Sequence, residues 1–110
     1  MDINVNTWNK QQYHAFILVC GAQSNLAMSE TEHRYISELV GEDNYRFAMD
    51  NYAKCSDYQC IETISEGRKL FYPSEHDKEQ LESELKTLFA ADHDYAILED
   101  NFLRYIDKVL

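Results

Sequence analysis

Apolar residues recur along this chain at helical spacing in six segments, and none of them alternates over the length of a strand, so the pattern predicts an all-α fold. The first segment runs from about Thr7, read as its N-cap, to Ala22. Its apolar residues Tyr13, Ala15, Phe16, Ile17, Leu18, Val19 and Cys20 cover nearly every side. A helix apolar all round belongs at the centre of its domain. The second segment opens on Ser29-Glu30-Thr31-Glu32, which fits a capping box, and ends at Gly41 after Ile36, Leu39 and Val40. In the third, Tyr45, Ala48, Met49, Tyr52 and Ala53 form a stripe at i, i+3, i+4, i+7 and i+8.

A fourth helix, from Ser56 or Asp57, is expected to bury Tyr58, Ile61, Ile64 and Ser65, to weaken at Gly67, and to close before Pro73. Ser74 is read as the cap of the fifth, whose buried stripe is Leu81, Leu85, Leu88 and Phe89. The last starts near Ala96 and buries Leu98, Phe102, Tyr105, Ile106 and Val109. Short connections between such segments predict a compact bundle of about six helices. Residues 1–110 are read as a single domain, with residues 1–6 a short N-terminal extension. The eight tyrosines and five phenylalanines are expected to supply much of the core.

Charge then narrows the partners. Ten Lys and Arg against twenty Asp and Glu give a formal charge of −10, which argues against direct nucleic-acid binding, since little here would neutralise phosphates. It argues equally against an anionic membrane surface. No signal sequence or spanning segment is legible, and the three cysteines, Cys20, Cys55 and Cys60, have no disulfide framework spacing. The expectation is a cytoplasmic chain with reduced thiols. Cys55 and Cys60 with His14, His33, His76 and His93 raise the idea of zinc, but neither CxxC nor HxxxH spacing supports it.

The stretch from Ala22 to Ile36 echoes the stretch from Ala91 to Leu103. In both, an apolar helix ends in a polar turn, a small residue (Ser29, Ala96) opens the next helix, and a glutamate follows three positions later (Glu32, Glu99). This duplicated helix-turn-helix resembles the TerB-like family, named for the tellurite-resistance proteins. Ala91-Asp92 and Glu99 match the family's second repeat. In the first, Gln23-Ser24 stand where Asp-Gly is usual and the turn is two residues longer. The resemblance implies an all-helical domain with two repeats, a stress-response role, and acidic turn residues that bind a divalent cation. Residue by residue it touches Asp92, Glu99 and Glu32.

Read without the family, Asp92, Asp94 and Glu99 gather three carboxylates around one turn, as hard cations such as Ca²⁺ or Mg²⁺ require. The spacing is not that of an EF-hand, because Ala96, Ile97 and Leu103 stand where that loop needs a ligand, glycine and glutamate. The competing explanation is helix capping, since carboxylates favour the positive end of a helix.

Signatures of catalysis are missing: the sequence holds no GxGxxG, P-loop, GxSxG or HExxH. His14 and His33 fall on the first two predicted helices, within reach of one another, and the acidic run Glu75 to Glu84 reads as a solvated face beside Lys78 and Lys86. The expected function is a non-catalytic binding or adaptor module of TerB-like type that contacts a protein partner. The alternative is an acidic nucleic-acid mimic that inhibits a DNA-binding protein, of anti-restriction or anti-CRISPR type, which requires a contiguous negative face.

Overall fold

A computed structural model describes residues 4–23, 30–71, 75–90 and residue 104. A 3₁₀ turn, Val5–Thr7, leads into five helices: α1 Lys10–Gln23, α2 Glu30–Val40, α3 Glu42–Lys54, α4 Asp57–Phe71 and α5 Glu75–Ala90. No strand occurs among the described residues, in line with the all-α expectation. The predicted sixth helix falls outside them apart from Arg104, which is helical and exposed, and the caps assigned to Ser29 and Ser74 also lie outside.

The helix apolar on all sides is the central one. Buried residues run from Ala15 to Ala22 without a break, with Tyr13 before them, and α1 touches each of the other four helices. Its cap is Asn9 rather than Thr7. The Asn9 side chain accepts from the Gln12 amide at 2.8 Å and the Gln12 side chain accepts from the Asn9 amide at 2.9 Å, a reciprocal box. Thr7 is occupied one turn earlier, donating its hydroxyl to the Asn4 carbonyl at 2.8 Å. The 3₁₀ turn buries Val5, and Trp8 follows it into the core, 5.1 Å from the rings of both Phe16 and Phe47.

A single residue, Gly41, joins α2 to α3. It has φ +90° and ψ 154°, a region that L side chains avoid, and its amide closes α2 on Ser37 while its carbonyl opens α3 on Tyr45. The α3 stripe behaves as the spacing predicts at Tyr45 and Ala48, which are buried, with Met49 and Tyr52 half-buried and Ala53 exposed. Along α5, Leu81, Leu85 and Leu88 are all fully buried.

The orientation of α4 departs from its predicted one. Its buried face is Cys60, Thr63, Ile64 and Gly67, while Tyr58 is 70% and Ile61 47% exposed and Ser65 also faces out. The helix runs through Gly67 and ends at Phe71, in line with the close expected before Pro73. The reason for glycine at position 67 is steric: a Cβ there would lie 2.1 Å from Cε1 of Tyr13. The Tyr13 ring lies against α4 at this point, donates its hydroxyl to the Ile64 carbonyl and packs on Phe71 at 5.1 Å. Thr63 is accommodated because its hydroxyl donates to the Gln59 carbonyl one turn back, at 2.7 Å.

Candidate functional site

The starts of α1 and α5 lie side by side, and a groove of about 340 Å³ opens between them, with Leu39 of α2 as its apolar wall. Helical spacing makes the site. Lys10 and His14, four apart, share one face of α1; Asp77 and Glu84, seven apart, share one face of α5. Two pairs bridge the helices: Lys10 Nζ donates to Asp77 Oδ1 at 3.0 Å, and His14 Nε2 meets Glu84 Oε2. Gln11 and Gln80 complete the lining with neutral donors and acceptors.

The two pairs differ in exposure. The Lys10 side chain is 55% exposed, so its bridge to Asp77 is a solvent-screened contact worth well under about 1 kcal/mol. His14 and Glu84 are 15% and 18% exposed, deeper in the groove, where a polar contact is less screened by solvent. Tyr35 of α2 borders this end. Its phenol is held above the ordinary value of 10, first by burial and then by the Glu84 carboxylate, and a hydrogen bond with Thr87 acts the other way.

Nothing in the sequence assigns these residues such a role: the acidic run on α5 reads as a solvated face with Lys78 and Lys86. Its only trace is the register, four residues on one helix and seven on the other, and nothing local pairs residue 14 with residue 84. The two histidines of the first helices do not share a site either. His33 Nδ1 is hydrogen bonded to the Tyr45 hydroxyl, with the rings edge to face at 4.6 Å, while His14 turns to α5.

Of the residues expected to bind a cation, Asp92, Asp94 and Glu99 lie outside the described residues. Glu32 lies in the first turn of α2, only 2% exposed, and does not line the groove. An acidic residue in a first turn is favoured by the positive end of its helix. Among the described residues no three His, Cys, Asp or Glu side chains are grouped so as to hold a metal ion. None of the described helices is long and apolar enough to cross a membrane.

All three cysteines carry free thiols. Cys60 is a near neighbour of both Cys20 and Cys55, so α1, the α3–α4 connection and α4 bring their thiols together. Burial and these neighbours hold the Cys20 thiol well above its ordinary value of 9 and push Cys55 up to about 11. Thiols in that state are poor nucleophiles at neutral pH. No protein-family model, curated protein or solved structure matches the chain.

Proposed function

We propose that the chain is a non-catalytic, TerB-like binding module in a stress-response setting, and that its partner is a protein segment seated in the α1–α5 groove. The observation that carries this reading is the pair of bridges, Lys10 to Asp77 and His14 to Glu84, set beside the half-exposed Leu39. Partly exposed polar pairs exchange partners at low cost, since Asp77 can leave Lys10, and Glu84 can leave His14, for a cation on a ligand. With the chain at −10, a segment bearing Lys or Arg next to an apolar residue is the complementary ligand: Asp77 and Glu84 take the cation and Leu39 the apolar side chain. The proposed divalent-cation site at Asp92, Asp94, Glu99 and Glu32 belongs to the same reading as a second site.

Peptide display against the chain tests the groove. Basic-apolar peptides that bind the wild type and fail on Asp77→Lys and Glu84→Lys are the expected outcome. Binders indifferent to both substitutions would exclude the groove. For the cation, a melting temperature that rises in millimolar Ca²⁺ or Mg²⁺ for the wild type and not for Asp92→Asn is expected by mass action. An identical curve in all conditions removes that site. The mimic of nucleic acid is the weaker reading, because basic residues interleave with the acids, as where Arg46 pairs with Glu42 at 3.6 Å on α3.

A further inference from the structure

The start of α4 is built by two nested devices. Ser56 is its N-cap: the Ser56 hydroxyl accepts from the Gln59 amide at 3.2 Å, and the Gln59 side chain accepts from the Ser56 amide at 2.8 Å. Around such a box, the residue before the cap packs on the fourth residue of the helix, a hydrophobic staple. Here those positions are Cys55 and Cys60, so the staple consists of two thiols. Cys55 is half-buried and packs on the core from the extended α3–α4 connection, with φ −98° and ψ 140°, while Cys60, at the staple position one turn into α4, is buried in that core. Cys20, on α1, is 7% exposed.

We propose that Cys55 and Cys60 close a reversible intrachain disulfide when the chain meets a low-molecular-weight disulfide, making the start of α4 a thiol modification site. The Cys55 thiolate attacks one sulfur of the small disulfide, forming a mixed disulfide and expelling one thiolate. The Cys60 thiolate then attacks the Cys55 sulfur, forming the protein disulfide and expelling the second. The two protons given up by the cysteines end on the two released thiols; the chain loses two electrons and the small disulfide gains them. Cys55 is the point of attack because it alone of the three is not buried. Cys60 resolves because the staple register sets it against Cys55, whereas Cys20 belongs to a different helix, α1, and is buried in the core. The cross-link ties the end of α3 to the first turn of α4 and fixes the angle between them. The high value of the Cys55 thiol sets the tempo: closure is slow at neutral pH and quickens about tenfold per pH unit as the thiolate fraction grows.

The test uses the reduced full chain, incubated folded with oxidised glutathione at mildly alkaline pH, quenched, alkylated and mapped by mass spectrometry. Expected are the loss of two hydrogens, a Cys55–Cys60 cross-linked peptide, and Cys20 alkylated. Cys60→Ser should trap glutathione on Cys55, and Cys20→Ala should still close. A cross-link that contains Cys20 overturns the proposal. So does glutathione retained on Cys55 of the wild type, or a folded chain that stays fully reduced while the chain in urea is oxidised.

Discussion

Replacing Gly67 by alanine sets two effects of opposite sign against each other. In an open helix interior, Gly→Ala stabilises by about 1 kcal/mol, because glycine has the larger conformational entropy to lose. At position 67 the new methyl would lie 2.1, 2.5 and 2.8 Å from Cε1, Cδ1 and Cζ of Tyr13. Carbon atoms in ordinary contact stand about 3.5–4.0 Å apart, so the ring must retreat by about 1.5 Å. It has little room to do so. Tyr13 is fully buried, its hydroxyl is fixed on the Ile64 carbonyl and its ring rests on Phe71. Forcing a methyl into a packed core costs about 1–3 kcal/mol, and losing the hydroxyl's hydrogen bond adds about 1 kcal/mol. Setting the helix gain against these leaves Gly67→Ala less stable by about 1–3 kcal/mol, which lowers the melting temperature by about 5 °C or more. Urea midpoints followed by far-ultraviolet circular dichroism measure it. The same substitution on a Tyr13→Leu background, where the ring is gone, should be neutral or stabilising. A Gly67→Ala chain as stable as the wild type would refute the close approach of α1 to α4.

Three further outcomes follow from the same packing. Gly41→Ala should cost about 1–3 kcal/mol through backbone strain alone, since its φ of +90° is a glycine conformation and a Cβ there meets nothing within 4 Å; a cost under 0.5 kcal/mol in urea unfolding, on the order of a neutral surface change, would contradict it. Trp8→Ala should cost about 3–5 kcal/mol, because Trp8 bridges Phe16 and Phe47 at the mouth of the core; a loss no larger than a surface substitution would show that the 3₁₀ turn does not anchor there. Stability should also fall in alkali. The folded chain holds Cys20, Cys55, Tyr35 and Tyr45 protonated where the unfolded chain has let those protons go, so the native state binds more protons and stability declines as pH rises from 9 towards 11. Urea midpoints unchanged over that interval would count against buried thiols and phenols, and Cys55→Ala should flatten the decline.

The helices were legible where burial is written in large apolar side chains. The unbroken run from Ala15 to Val19 placed α1 at the centre, and Leu81, Leu85 and Leu88 fixed the inner face of α5, because one stripe of large residues at 3.6 spacing admits a single orientation. Capping was legible in kind and not always in place. Asn9 and Thr7 are both good caps, and the choice between them falls to a reciprocal bond with Gln12 that only the folded backbone reveals.

The inner face of α4 shows why the rest was not. Periodicity weighs Tyr58 and Ile61 as buried because they are large and apolar, yet the helix turns Cys60, Thr63 and Gly67 inward. Small residues carry little hydrophobic signal, and they are inside because the Tyr13 ring already fills the space between α1 and α4. That ring belongs to a residue 54 positions earlier in the chain. The same separation hides the groove, where His14 meets Glu84, and the thiol cluster, where Cys20 meets Cys60. Local pattern reports which face of a helix prefers to be dry; it does not report what the opposite helix offers. A face of small residues is selected by its partner's bulk, so replacing that bulk should change what the face tolerates, and Tyr13→Leu is the substitution that reverses the sign of Gly67→Ala.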